Sequence, residues 1–193
     1  MGEKYYCDAL SDDSIINVSN FIYPKIKDKK KILILCIGTD NCLGDSFGPL
    51  TGTLLKAGNC SYDILGDLEN IIDLNFIKSN NDIIKNKYKD HFIIALDACL
   101  GDKKSIGKFI IDDTPLIPAS ALCDSAFCMG NVSIKAVVNK YHNIKYANLY
   151  MLQQTRLFYV YSMANNLAKS LLRTYTLSNT FTNSHYDNNE IVL

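Results

Sequence analysis

Two aspartates, Asp45 and Asp97, each follow a strongly apolar segment and could act together as an acid–base pair. Asp45 lies in the loop GTDNCLGDSFGP after the run KKILILCIG, and Asp97 comes directly after FIIAL. Two neighbouring carboxyl groups can work on one water, the ionised one as base and the protonated one as acid. We therefore predict that Asp45 and Asp97 are catalytic. For Asp45 a turn role is also compatible, because Asp commonly accepts backbone N–H groups before a helix.

Other residue types that carry chemistry are present but lack the necessary spacing. The seven cysteines include no Cys-x-x-Cys pair, and none of His91, His142 and His185 stands in a nucleophile motif. The cysteine spacings match no zinc framework, and the loop around Asp45 lacks the endings of phosphate-binding loops. Cys99 is interpreted as packing, because the neighbouring Asp97 would raise the pKa of its thiol. The sequence thus predicts no metal and no cofactor.

Strands alternate with helices along the chain, which predicts a three-layer α/β/α sandwich. Continuous apolar runs favour buried strands, and apolar residues at spacings of three and four favour helices. The predicted strands are 30–38, 62–65, 91–98, 107–112 and 132–138, and the predicted helices are 14–26, 48–58, within 68–88, and 155–175.

The predicted sheet is mixed and mostly parallel. Right-handed crossovers favour the order 2-1-3 for its first three strands, so that a crevice opens between strands one and three, where Asp45 and Asp97 would both point. The connection after Asp97 is too short for a helical crossover, so strand 107–112 is expected to run antiparallel to the third strand. We divide the chain into an N-terminal arm (1–30), one α/β domain (31–175) and a polar, flexible tail (176–193).

Composition limits the classes of partner. Twenty basic residues balance twenty acidic ones, so no overall charge attracts nucleic acid or an anionic membrane. No apolar run has the length of a membrane span, and the polar N-terminus does not resemble a secretory signal. Unpaired, scattered cysteines suit a reducing compartment. The sequence therefore predicts a cytoplasmic protein without nucleic-acid or membrane binding, and it leaves a homodimer open.

The motifs Gly44-Asp45-x-x-Gly48-Pro49, Leu96-Asp97-Ala98 and Leu152-Gln153-Gln154-Thr155-Arg156-Leu157 resemble those of the YyaC-type sporulation protein family. Members of that family are similar to the germination protease of spores and to the hydrogenase maturation proteases. The resemblance covers about residues 31–173. It implies the fold of the hydrogenase maturation proteases and a mixed sheet. For Asp45 and Asp97 it implies one of two roles, catalysis as in the germination protease or nickel binding as in the hydrogenase proteases.

Three further residues are predicted to contact a protein or peptide substrate. Gly38 and Gly48 belong to the motif loop, where a bare backbone lets another chain approach closely. Arg156 lies in the first turn of a predicted helix, where a cation opposes the helix dipole, so a carboxylate at the site or at the end of a substrate chain would compensate it. Together with the resemblance, these residues imply a sporulation-associated peptidase of an unusual aspartic type. The alternative is a non-catalytic sporulation protein that binds a peptide or protein partner on the same fold.

Overall fold

The computed structural model describes residues 4–118 and 128–186 and shows an α/β sandwich. Its strands are β1 (Lys4–Asp8), β2 (Ile32–Cys36), β3 (Asp63–Leu65), β4 (Phe92–Gly101), β5 (Lys108–Asp112) and β6 (Val132–Lys140). Its helices are α1 (Asp13–Ile26), α2 (Phe47–Ala57), α3 (Leu74–Lys87), α4 (Lys145–Gln153) and α5 (Leu157–Tyr186), with a 3₁₀ turn at Leu43–Ser46.

The strands form one mixed sheet in the order β1-β5-β6-β4-β2-β3. Strand β2 runs parallel to β3 and β4, and β4 runs parallel to β6. The predicted 2-1-3 order, which corresponds to β3-β2-β4, is confirmed. Strand β5 pairs antiparallel with β6, so it also runs opposite to β4, as predicted, although β6 lies between them.

Both faces of the central strands are covered by helices, which explains their uninterrupted apolar sequences. On β2, Ile34 and Cys36 pack into the large core that also holds apolar residues of α1, α2 and α5. Leu33 and Leu35 point to the opposite face and pack with Ile77 of α3. Alternate residues of a strand face opposite sides of the sheet, so a strand buried on both sides has no polar positions. The predicted three-layer arrangement is thus confirmed.

Most of the N-terminal segment, predicted as an arm, contributes a strand and a helix to the domain. Strand β1 forms the sheet edge, with Lys4 opposite Asp112 of β5. Helix α1 packs against α5, and Val18 and Ile22 are fully buried in the main core. The buried amide of Asn166 on α5 donates to the carbonyl oxygen of Ala9 at 3.0 Å. These contacts tie residues 4–26 to the C-terminal helix.

Helix α5 continues past residue 175 into the segment predicted as a flexible tail. The hydroxyls of Thr174, Thr176 and Ser178 each donate to the carbonyl oxygen four residues earlier, which lets polar side chains remain in a helix. The part of the predicted tail beyond Tyr186 lies outside the described residues. No helix within the described ranges is long and apolar enough to cross a bilayer.

Candidate active site

The loop after β2 is fixed on both sides by backbone hydrogen bonds. The N–H of Ile37 donates to the carbonyl oxygen of Leu96 on β4 at 2.9 Å, and the N–H of Gly38 donates to that of Ile72 at 3.0 Å. Gly38 has φ +139°, and a Cβ placed on it would lie 2.0 Å from the carbonyl oxygen of Asp45. Only glycine therefore lets the chain turn here and bring Asp45 back against the end of β2.

Asp45 lies in the 3₁₀ turn between β2 and α2, and this turn contacts β4. The backbone N–H of Thr39 donates to Oδ2 of Asp45 at 3.1 Å. Burial raises the pKa of Asp45 to about 6, against the lowering effect of the Thr39 hydrogen bond, and the charge of Asp73 raises it further. A carboxyl group with this pKa can hold a proton or release it near neutral pH.

Asp73, which the sequence analysis did not select, is a second carboxylate close to Asp45. It caps the N-terminus of α3, where its Oδ1 accepts the N–H of Phe76 at 2.7 Å. Its neighbour Ile72 holds Gly38, so the start of α3 is fastened to the loop that carries Asp45. From the sequence, Asp73 could be recognised only as a candidate helix cap. Its proximity to Asp45 could not be predicted, because it depends on long-range packing.

Asp97 is buried, with 5% of its surface exposed, but it does not lie at the end of its strand. The sequence analysis ended this strand at Ala98, and the structure corrects that position because β4 continues to Gly101 beside β6. Pairing with β2 stops at Leu96, where β2 turns away toward the 3₁₀ turn. Asp97 therefore lies at the first position of β4 that has lost its β2 neighbour, which is where a crevice opens in such a sheet.

The surroundings of Asp97 contain one aligned cation and a thiol. Lys135 of β6 is its register partner, and partners in adjacent strands share a face of the sheet. Burial raises the pKa of Cys99 to about 12; the charge of Asp97 also raises it, whereas Lys135 lowers it. Cys99 is thus held as a neutral thiol, as the sequence analysis predicted.

Gly48 is buried, and its lack of a side chain is explained by packing. A Cβ on Gly48 would lie 2.1 Å from the carbonyl oxygen of Ile37, so α2 can approach the end of β2 only through a glycine. Gly44 meets the backbone of Leu152 in the same way at 2.7 Å, which sets α4 against the 3₁₀ turn. The predicted contacts of Gly38 and Gly48 with substrate stay predictions, and their observed role is to position Asp45.

Arg156 is exposed between α4 and α5, with its guanidinium 5.4 Å from the centre of the Tyr159 ring. Among the described residues no carboxylate forms an ion pair with it. The segment that leads from α4 to Arg156 is held close to the turn of Asp45, because Leu152 contacts Gly44 in that turn. The amide of Asn139 also donates to Oγ1 of Thr155 at 3.2 Å. The predicted contact of Arg156 with a substrate carboxylate stays a prediction.

The donor set does not fit a nickel site, one of the two roles that the family resemblance implies for Asp45 and Asp97. Within residues 4–118 and 128–186, no three His, Cys, Asp or Glu side chains converge as metal ligands would. Asp45, Asp73 and Asp97 therefore do not form such a set. The cysteines near these carboxylates, Cys42 and Cys99, have raised pKa values, so they are neutral thiols rather than the thiolate that nickel generally recruits.

Comparison with solved structures gives the fold. The crystal structure of a [NiFe] hydrogenase maturation protease, HycI from Thermococcus kodakarensis KOD1, superposes with a TM-score of 0.56. The match covers 81% of this chain and 99% of that chain at 19% sequence identity. At this identity the likeness establishes a shared α/β fold.

Comparison of sequences gives the family. The chain is 38% identical over 146 residues to the protein YyaC of Bacillus subtilis (strain 168), which covers 75% of this chain and 70% of that protein. The family model described as "Protein of unknown function (DUF1256)" matches residues 6–170, a range that contains Asp45, Asp73 and Asp97. With both matches spanning most of its length, the chain is a member of the DUF1256 family, to which its YyaC-like motifs pointed.

Proposed function

We propose that this protein is a hydrolase of the peptidase type, in which Asp45 and Asp97 act on one water. The observation that carries the proposal is the raised pKa of Asp45, about 6, in a turn that contacts β4, the strand that holds the buried Asp97. Burying carboxyl groups costs free energy, and such an arrangement is typical of catalytic sites. The likeness in fold to a maturation protease supports the same class of reaction.

The two carboxyl groups have different roles in this mechanism. Asp97 acts as the base and removes a proton from water as the water attacks the peptide carbonyl carbon. Asp45 is the more readily protonated group and donates its proton to the leaving amine. The carbon–nitrogen bond breaks, the water oxygen becomes part of the new carboxyl group, and the proton returns from Asp97 to Asp45 through solvent.

Gly38, Gly48 and Arg156 complete the proposed substrate site. Gly38 and Gly48 hold the loop in the conformation that presents Asp45 to the peptide, and Arg156 binds a carboxylate of the substrate chain. We place the protein in the cytoplasm of sporulating cells, where its substrate is a spore protein. The described cysteines Cys7, Cys36, Cys42, Cys60, Cys99 and Cys128 are all free thiols, which is compatible with a reducing compartment.

The test is a proteolysis assay of the full chain on proteins extracted from spores, with and without a chelator. We expect cleavage that survives chelation and falls by about 10²–10⁴ in Asp97→Asn and in Asp45→Asn. Asp82→Asn, an exposed change on α3, is the matched control and should cleave like the wild type. Retained turnover in both site variants would remove the aspartates from the mechanism. A wild-type chain that cleaves nothing yet binds a spore protein would support the non-catalytic alternative.

A further inference from the structure

Large apolar side chains are exposed to solvent along α4 and the start of α5. Tyr146 is 87% exposed, and Phe158 is 66% exposed. We call this the aromatic surface, formed by Ile144, Tyr146, Leu149, Tyr150, Leu157 and Phe158. On α4, Tyr146, Leu149 and Tyr150 are three and four residues apart, so they lie on one side of the helix. Monomeric proteins rarely expose so large an apolar area, and such a surface indicates a binding partner.

The charge content of this region favours a protein partner over a membrane or a nucleic acid. Between residues 141 and 161 there is no Asp or Glu, and Lys145 and Arg156 are the only charged residues. Membrane-surface helices and nucleic-acid sites carry many cations among their apolar residues, and this segment has two. Apolar and tyrosine-rich surfaces with few charges are typical of the centre of a protein–protein interface.

A receiving cavity adjoins the aromatic surface. It has a volume of about 250 Å³ and is lined mainly by apolar side chains, among them Leu10, Ile106, Tyr159 and Met163. Tyr159 connects the cavity to the aromatic surface, because its ring centre lies 5.7 Å from that of Phe158. The same region of the molecule thus presents both exposed aromatic rings and a cavity large enough to receive one. A surface with both suits a two-fold interface, in which each copy can insert a ring into the other.

We propose that the aromatic surface and this cavity form the interface of a homodimer. A stable dimer buries about 800 Å² on each subunit, and a buried aromatic side chain contributes about 150–250 Å². Six large side chains, four of them more than half exposed, offer an area of this order. A transient substrate would leave the aromatic surface exposed to solvent between turnovers. A second copy of the chain is always present with the first and can cover this surface permanently.

The dimer would lie beside the candidate active site without using its carboxylates. Helix α4 contacts the 3₁₀ turn of Asp45, and Leu152 of α4 touches Gly44 in that turn. The exposed face of α4 with Tyr146 and Tyr150 would carry the second copy. The assembly therefore depends on residues other than Asp45 and Asp97, and it can be tested independently of any hydrolysis.

The test is the mass of the full chain in solution by sedimentation velocity across micromolar concentrations. We expect a species of twice the chain mass of 21.6 kDa. Tyr146→Glu and Phe158→Glu should each raise the dimer dissociation constant by about thirtyfold or more, as removal of a central interface residue does. Ile83→Glu is the matched control, because Ile83 is 64% exposed on α3, away from this surface.

Circular dichroism of each variant shows whether it has kept its fold, which exposed substitutions should not disturb. A wild-type chain that sediments at 21.6 kDa at every concentration would overturn the proposal, whatever protein or vesicle the surface then binds. So would a dimer that both aromatic-surface variants leave intact, or one that Ile83→Glu weakens equally.

Discussion

Asp45 and Asp67 are two aspartates in the loops that follow neighbouring parallel strands, and their environments are opposite. Asp67 follows β3 and forms an ion pair with Lys56. Its Oδ1 also accepts the N–H groups of Glu69 and Asn70 at 2.8 and 2.7 Å. Burial works against its ionised form, yet the hydrogen bonds from Lys56, Asn70 and Glu69 hold the pKa of Asp67 below its usual value. Asp45 has one backbone donor and another carboxylate nearby, and its pKa is raised.

The comparison separates a structural carboxylate from a reactive one. Asp67 accepts hydrogen bonds on both of its oxygens, so protonating it would break its ion pair with Lys56 and weaken the hydrogen bonds from Glu69 and Asn70. Asp45 has few partners, and its ionised form is costly, so its proton is available for transfer. The difference does not arise from sequence neighbours alone, since each loop contains Asp close to Gly. At Asp45, burial outweighs the one backbone donor and the charge of Asp73 raises the pKa further. At Asp67, Lys56 and two backbone N–H groups outweigh burial and lower the pKa.

The largest expected difference between the two aspartates is in catalysis. Asp45→Asn should lower peptide hydrolysis by about 10²–10⁴, because the amide cannot donate or accept the transferred proton. Asp67→Asn should retain the wild-type order of turnover for each folded molecule. Initial rates on spore protein extracts, normalised to the folded fraction from circular dichroism, measure both. Equal losses in the two variants would contradict the assignment of a reactive role to Asp45 alone.

Asp67 is held by the hydrogen bonds and the ion pair of its own side chain, whereas Asp45 is held by close packing of the backbone around it. Gly48→Ala tests this role of the backbone. The new Cβ would meet the carbonyl oxygen of Ile37 at 2.1 Å, and the loop must move. We expect a loss of about 3 kcal/mol or more in the free energy of unfolding, measured with urea.

Gly58→Ala at the end of α2 is the matched control. There the Cβ would meet a methyl group of Leu172 at 2.6 Å, which a side chain can relieve by moving. It should cost less than about 1.5 kcal/mol. Similar losses in the two variants would show that close packing at Gly48 is not a special restraint.

Stability as a function of pH should change with opposite signs at the two aspartates. The folded pKa of Asp45, about 6, lies above its ordinary value of 3.8, so ionisation costs stability as pH rises between these values. Asp45→Asn removes that cost and should stabilise the protein by about 1–3 kcal/mol above pH 6, with little effect below pH 4.

Asp67→Asn should destabilise the protein by about 1–3 kcal/mol at pH 7, because a hydrogen-bonded ionised group is lost. The folded pKa of Asp67 is lowered, so its contribution is present above the unfolded pKa and disappears as pH falls through the folded value. Thermal unfolding between pH 3.5 and 8 measures both effects. The same sign in the two variants would break the contrast.

The smallest expected effect concerns Asp73, the carboxylate near Asp45. Asn is as good a helix cap as Asp, so Asp73→Asn should preserve the start of α3. Removing the charge should lower the pKa of Asp45 by a fraction of a unit, since Asp73 is a lesser cause of the shift than burial. NMR titration of the Asp45 carboxyl measures this change. An unchanged or higher pKa would show that burial and the Thr39 hydrogen bond alone set it.

Strands β2 and β4 could be predicted from the sequence because a continuous apolar run is visible within a few neighbouring residues. The apolar runs of β2 and β4 identify strands buried on both faces, and Asp97 stands out as the charge inside one of them. Strand β1 was missed because its sequence, KYYCD, is short and mixes polar with apolar residues. Such a pattern is expected of an edge strand, in which alternate residues are exposed. The end of β4 was placed too early because its last residues pair only with β6.

The electrostatics of the site could not be predicted in the same way. Asp45 was selected from its loop, but its neighbour Asp73 is 28 positions away and approaches through the hydrogen bond between Gly38 and Ile72. Likewise, Lys56 lies on α2 and reaches Asp67 across the loop after β3. Spacing along the chain carries no information on such contacts, which depend on how α2 and α3 pack on the sheet.

The attachment of the first residues to the far end of the chain has a consequence for biosynthesis. Strand β1 pairs with β5, and α1 packs against α5, so residues 4–26 leave the ribosome long before their partners exist. Contacts so distant in sequence form slowly, and apolar segments without partners are prone to aggregate. The apolar side of α1, with Val18, Ile22 and Ile26, must therefore wait in water until α5 has been synthesised. The fold is consequently completed only after α5 has been synthesised, when residues 4–26 dock onto a helix made long after them.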